Sequence, residues 1–243
     1  MFDLSICIII KDEGEYLPEW LDWHITQGVE HFYIYDNGSK IPVGQCIPEQ
    51  YRCLCTVNYA PDMTQMDAYS HCLAEHRAET NWIAFIDTDE FIRIRDNRQI
   101  QELLREIPDE ADAIALPWVV YGADGQIHKS NAPVRERFRT VVNTYPRYLP
   151  SAKCIVRTQR VYDMSAHWPV SHGRLLRVVN ARGDHIKGPI DPELRTDMAV
   201  IDHYFTRSLE EWSEKIARGS CDPTSSRAYG MFFQINPDMR DLK

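Results

Sequence analysis

Apolar positions along the first half of the chain switch between a near-continuous pattern and a helical one. Residues 4–10 (LSICIII) form a short, β-branched apolar run, the pattern of a strand covered on both faces. In the segment after it, Leu17, Trp20, Leu21 and His24 fall on one helical stripe, with Pro18 suited to a first turn and Gly28 to a stop. His31–Asp36 (HFYIYD) returns to the strand pattern and ends in Asp-Asn-Gly-Ser, and a third strand is expected over residues 51–58. Residues 66–79 read as a helix, 82–86 as a fourth strand, 100–107 as a short helix stopped by Pro108, and Ala113–Val120 as a further strand. This rhythm predicts an α/β fold with a mostly parallel central sheet flanked by helices.

The second half is less regular, with Pro133, Pro146, Pro150, Pro169, Pro189 and Pro192 spread among arginines and histidines. It is expected to supply strands and long loops that fold back over the sheet edge, so that residues 1–243 make one domain. Its clear element is a helix over Leu209–Arg218, with Ser208 as N-cap, Glu211 at capping-box spacing and Gly219 as the stop.

Composition narrows the class. At 44% hydrophobic and 26% charged, the 243 residues can bury a substantial core. A formal charge of -9 argues against a surface that attracts nucleic acid or anionic lipid as a whole. A bound divalent cation can still reverse the potential inside an acidic pocket. The seven cysteines are odd in number, which predicts reduced thiols and a cytoplasmic setting. Cys53 and Cys55 form a C-x-C pair with no second pair at zinc-site spacing, so packing thiols are expected there. No basic leader precedes the first strand, and no apolar run approaches the ~18 residues of a membrane span, so no integral membrane segment is expected.

The chemistry concentrates at W-I-A-F-I-D-T-D-E-F, residues 82–91. Asp87, Asp89 and Glu90 close an apolar strand of the kind a central sheet position requires. Clustered carboxylates repel one another and resist desolvation unless a cation or protons compensate. In an extended chain Asp87 and Asp89 point the same way and Glu90 the other. That spacing suits a hard divalent ion, Mg2+ or Mn2+, that keeps positions open for phosphate oxygens; an acidic turn is the plain structural alternative. Asp36, in the D-N-G-S turn, stands either as a turn residue or over a nucleotide crevice, and Lys11 and Glu13, closing the first strand, either at a phosphate and ribose or as a solvated helix start. Neither G-x-G-x-x-G nor G-x-x-x-x-G-K is present, which weakens dinucleotide and P-loop readings.

Three stretches together, K-D-E-G-E-Y-L-P-E-W-L-D-W-H (11–24), G-V-E-H-F-Y-I-Y-D-N-G-S (28–39) and 82–91, resemble the glycosyltransferase family 2-like group, close to family-92-type enzymes. The likeness continues in S-A-K-C-I-V-R (151–157), H-Y-F-T-R-S-L-E-E-W-S-E-K (203–215) and Arg218-Gly219, across nearly the whole chain. The resemblance implies a GT-A fold in which residues 1–112 bind a nucleotide sugar and 113–243 bind the acceptor and close the site. It implies that Asp87 and Asp89 match the D-x-D motif, Asp36 the carboxylate that reads the base, and Lys11 and Glu13 the flank of the nucleoside. It further implies a metal-ligating histidine from the C-terminal half, with His203 favoured over His167. UDP is the nucleotide it favours, with GDP as the alternative.

Among the later basic residues, Lys153 and Arg207 are the candidates for offsetting charge on a leaving diphosphate, while Arg157 has no such favour and Lys215 is expected on an exposed helix face. Trp118 and Tyr121, ahead of Gly122, Asp124 and Gly125, offer an aromatic platform for a sugar acceptor or, equally, core packing. Asp124 is the candidate base on the acceptor hydroxyl, with Asp163 and Asp184 behind it. The expected activity is metal-dependent transfer of a sugar to a glycan, a lipopolysaccharide or a lipid-linked saccharide, and the family resemblance implies that the transfer inverts. Peripheral contact with the inner face of the membrane is a further expectation. A metal-dependent nucleotidyltransferase or phosphotransferase would use the same acid cluster, and a non-catalytic nucleotide- or sugar-binding protein is the alternative outside enzymology.

Overall fold

The computed structural model describes residues 1–96, 98–142, 152–191, 193–220 and 227–242. The expected features at Pro146, Pro150, Ser151, Pro192 and Cys221 lie outside the described residues. In the first half, β1 (Phe2–Ile10), α1 (Leu17–Thr26), β2 (His31–Asp36), α2 (Val43–Cys46), β3 (Cys55–Tyr59), α3 (Gln65–His76) and β4 (Thr80–Phe85) follow one another. Next come β5 (Glu90–Ile94), α4 (Ile100–Glu106), β6 (Ala113–Val120) and α5 (Val134–Arg137). The remainder supplies β7 (Ala152–Arg157), β8 (Val178–Val179), β9 (His185–Ile186), β10 (Ala199–His203), α6 (Leu209–Arg218) and α7 (Tyr229–Ile235).

The strands join in one sheet of order β3-β2-β1-β4-β7-β6-β10-β5, with β8 and β9 attached beside β6. Pairing is parallel from β3 to β4 and mixed beyond, since β7 runs antiparallel to both β4 and β6. The period-two rule accounts for the layers. Leu4, Ile6, Ile8 and Ile10 of β1 pack with Trp20, Leu21 and Phe32, whereas Cys7 and Ile9 face Tyr33, Tyr69 and Cys72 on the opposite side. A third cluster, Trp212, Phe232 and Phe233, holds α6 and α7 together. Among the described residues, no helix is long and apolar enough to cross a membrane.

Two expectations change. The third strand begins at Cys55, because residues Glu49–Leu54 wind into a 3-10 helix after Pro48. The second half does not merely fold over the sheet edge: β7 inserts between β4 and β6, with Ala152–Val156 buried on both faces.

The outer edge of β5 is sealed by side chains of α1. Trp20 and Trp23 donate their ring N–H groups to the carbonyls of Glu90 (2.9 Å) and Ile92 (2.7 Å). His24 accepts the Ile92 N–H at Nε2 (3.2 Å) while its Nδ1 donates to the Trp20 carbonyl (2.8 Å). An edge strand so occupied offers no template for pairing with another chain, and α1 is fixed against the strand that leaves the acid cluster.

Burial pushes the His24 imidazole from its ordinary 6.5 down to about 3. The unfolded chain therefore takes up a proton near pH 6.5 that the folded chain refuses until about pH 3, so stability falls as pH drops through that window. In denaturant titrations at stepped pH, His24→Gln is expected to lessen this fall by up to ~1.4 kcal/mol per pH unit. Equal slopes for variant and wild type would show that His24 does not govern it.

Candidate active site

β4 delivers its chain at the middle of the sheet, and the acid cluster forms where the chain turns from β4 into β5. The Glu90 N–H donates to the Asp87 carbonyl (3.1 Å), and the Asp87 N–H donates to Glu90 Oε2 (2.9 Å). This turn overrides strand alternation: Glu90 folds back into the cluster instead of pointing away from Asp87 and Asp89.

Each carboxylate has its own set of partners, drawn from distant elements. Asp87 accepts from Gln65 Nε2 (2.7 Å) on α3 and from Lys153 Nζ (3.0 Å) on β7. Lys153, 1% exposed, also donates to the Ala166 carbonyl (3.0 Å) and lies 3.8 Å from Glu90. Asp89 pairs through Oδ2 with Lys215 of α6, and its Oδ1 faces His203 Nε2 at 3.6 Å. Glu13 accepts from Thr88 Oγ1 (2.7 Å) and Arg207 Nη1 (3.1 Å) and forms an ion pair with Arg218 Nη2 (3.2 Å).

Burial works to raise every one of these carboxyls, and the cations decide where each settles. Asp89 is held well below the ordinary range chiefly by the Lys215 ammonium, and Asp87 below it chiefly by Lys153. Glu13 is likewise lowered, by Arg207 and Arg218. For Glu90 desolvation wins: Lys153 opposes the rise, Asp87 and Asp89 add to it, and the carboxyl is pushed well above its usual value. Burial also lowers both histidines, His167 to about 3, which favours neutral imidazoles.

A cavity of about 540 Å³ opens beside the cluster, lined by Glu13, Tyr16, Lys40, Lys129, Arg207 and Arg218 among others. Arg207 adopts φ +52°, a left-handed backbone uncommon for a residue other than glycine. Its guanidinium lies 3.6 Å from the Tyr16 ring centre, and its buried Nε and Nη2 have no hydrogen-bond partner. Buried unpaired donors on a cavity wall are strained features that a ligand would satisfy. Glu211 anchors this wall, accepting from Tyr16 OH (2.8 Å), from both Arg137 Nη groups (2.9 and 2.7 Å) and from Ser208 (N–H, 3.1 Å; hydroxyl, 2.6 Å).

The structure brings together Asp87, Asp89, Glu13, Lys153, His203 and Arg207. Lys215 corrects an expectation: it is buried and tied to Asp89, because Glu211, Trp212 and Lys215 share the inward face of α6. Arg218, Gln65 and Tyr16 belong to the site with no signal of their own in the sequence beyond the stretches around them. His167 turns its Nδ1 to the Ala152 carbonyl (3.3 Å) and lies across Trp118 from His203. Asp36 spends both oxygens on its own loop, accepting from the backbone N–H groups of Ser39 (2.8 Å) and Val43 (3.0 Å). Lys11 is exposed at the end of β1. Asp124, exposed at φ +48°, accepts from the backbone N–H groups of Arg139 and of Thr140 (3.2 Å), so its geometry lends nothing to a base role. Asp184 braces Asn180, Asp163 accepts from His172 Nε2 at 3.2 Å, Arg157 covers the Trp82 ring, and Tyr121 stacks on Tyr204.

Among the described residues, no group of three or more His, Cys, Asp or Glu side chains is arranged to hold a metal. The residues do fit an ion with a partial protein shell. His203 presents a neutral ring to Asp89 Oδ1, and its buried Nδ1 has no hydrogen-bond partner. A magnesium-like ion takes one or two protein ligands and completes its shell with water and substrate phosphates.

The Glycosyltransferase family 92 model matches residues 3–220. A family 92 protein of Ricinus communis is 25% identical over 224 residues, covering 89% of this chain and 38% of that protein. One of Oryza sativa subsp. japonica is 30% identical over 105 residues, covering 42% of this chain and 18% of that protein. The chain thus spans 38% or less of the length of these relatives. Among solved structures, Staphylococcus aureus TarS in complex with UDP is 17% identical, covering 65% of this chain and 47% of that one, with a TM-score of 0.43. A Drosophila β-1,4-galactosyltransferase 7 mutant in complex with manganese, UDP-Gal and xylobiose is 13% identical, covering 82% and 70%, with a TM-score of 0.37.

The Glu211 network yields a direct test of how the wall is held. Its hydrogen bonds from Arg137, Ser208 and Tyr16 overcome burial and lower the carboxyl from 4.5 to about 2. The stabilisation is complete above pH 4.5 and is lost as pH falls towards 2. Glu211→Gln is expected to cost about 3 kcal/mol at neutral pH, by chemical denaturation, with the gap to wild type narrowing through that acidic window.

Proposed function

The chain belongs to glycosyltransferase family 92, and from that premise we propose that it transfers a sugar from a UDP-linked donor to a glycan or glycolipid acceptor, with inversion. The observation that carries the reading is a convergence at the C-terminal end of β4. There Asp87, Asp89 and Glu13 meet Lys153, Lys215, Arg207 and Arg218, beside a cavity on whose wall Arg207 has two unpaired donors. Ligands of open α/β sheets bind beyond these strand ends, and a nucleoside diphosphate needs cations and guanidinium donors set against fixed carboxylates.

Arg207 and Arg218 hold the nucleotide end of the donor, while Lys153 orients Asp87 and offsets charge that develops on the diphosphate. Asp89 and His203 would hold Mn2+ or Mg2+, with Asp87 beside them; the ion supplies Lewis-acid stabilisation of the leaving diphosphate. Trp118, half-buried against His203 and His167, is the aromatic face offered to a sugar. In this reading residues 1–112 carry most of the donor site and 113–243 close it and receive the acceptor, in a cytoplasmic protein.

Calorimetric titration of UDP and GDP, with and without Mn2+, tests the assignment. UDP is expected to bind only with Mn2+ present, and Asp89→Ala to weaken that binding at least about tenfold while the far-ultraviolet spectrum stays that of folded protein. Folded wild-type protein that binds neither nucleotide would remove the donor site from this position.

A further inference from the structure

The D-x-D carboxylates are already neutralised by the protein's own lysines, and the two lysines are held differently. Lys153 sits on a central strand, 1% exposed, fixed by Asp87, the Ala166 carbonyl and Glu90. Lys215 reaches Asp89 from α6, and its remaining contacts are the Phe205 carbonyl (3.0 Å) and the Phe205 and Trp212 rings (4.7 and 6.0 Å). Its helix neighbours Glu214, Ala217 and Arg218 line the cavity. A lysine stem re-aims its ammonium by bond rotation alone, and Lys215 shares α6 with these cavity-lining residues.

We propose that Lys215 is the displaceable counter-ion of Asp89: it leaves this carboxylate when the donor's divalent cation arrives and passes onto the donor's diphosphate, so that cation and nucleotide bind as one unit. The inference rests on the donor-site reading above. The charge balance explains the coupling. Asp89 is already paired with the Lys215 ammonium, and Lys153, Arg207 and Arg218 pair with the neighbouring carboxylates. A lone divalent ion adds positive charge beside these cations and competes with an ammonium already paired to its ligand. A divalent ion accompanied by a doubly charged diphosphate leaves the balance unchanged and offers the released ammonium a new partner.

Binding of Mn2+, read as loss of the free-ion electron paramagnetic resonance signal beyond the loss that the same UDP causes without protein, separates these cases with and without UDP. Wild type is expected to take up Mn2+ weakly alone and at least about tenfold more tightly with UDP. In Lys215→Met, Mn2+ alone is expected to bind about tenfold more tightly than in wild type, and the enhancement by UDP to shrink correspondingly. Lys215→Arg keeps the charge but grips Asp89 with a planar fork, so Mn2+–UDP uptake is expected to fall several-fold; this second variant carries the test should Lys215→Met fail to fold. Variants that match wild type in both conditions would overturn the role of Lys215. Wild-type protein that takes up no UDP at any Mn2+ concentration would instead overturn the donor-site reading beneath it.

Discussion

The cost of burying charge organises this protein. Asp87, Asp89 and Glu13 stand at the end of a central strand where water cannot fully solvate them, and unpaired ions there would cost several kcal/mol each. Their compensation comes from outside the strands that carry them: Lys153 from β7, Arg207 from the turn before α6, Lys215 and Arg218 from α6 itself. The insertion of β7 into the sheet and the inward face of α6 are therefore tied to the same ionic requirement. Glu90, for which no cation suffices, is pushed towards its neutral form.

The first-half fold was legible because its code is local. The near-continuous apolar run of β1 and the stripe of Leu17, Trp20, Leu21 and His24 are patterns within a few residues, as is the Ser208–Glu211 capping box of the second half, and each formed as read. The strand boundary at Cys55 was less so, since Pro48 starts a 3-10 turn inside a stretch of strand-like composition. The place of β7 was hidden for another reason: a short apolar strand carries no mark of which neighbours it separates.

The site divided along the same line. The D-x-D carboxylates announce themselves, because acids crowded at the end of an apolar strand need an explanation. Their partners do not. A lysine on an amphipathic helix reads as solvated, and only the position of Trp212 three residues earlier hints that Lys215 faces inward. Glu90 was misread because alternation assumes an extended chain, and the chain turns there. Asp36 and Asp124 are acids in turns, and in both the carboxylate is engaged by the backbone of its own loop.

The sequence distance between acids and cations has a consequence for the order of events during synthesis. Asp89 and Lys215 are 126 residues apart, and Glu13 and Arg207 are 194. At ribosomal speeds the carboxylates emerge many seconds before the ammonium and guanidinium groups that stabilise them. Lys153 of β7 follows Asp87 by 66 residues, whereas Asp89 and Glu13 wait for the segment from Arg207 through α6 before the cations that pair with them in the fold exist.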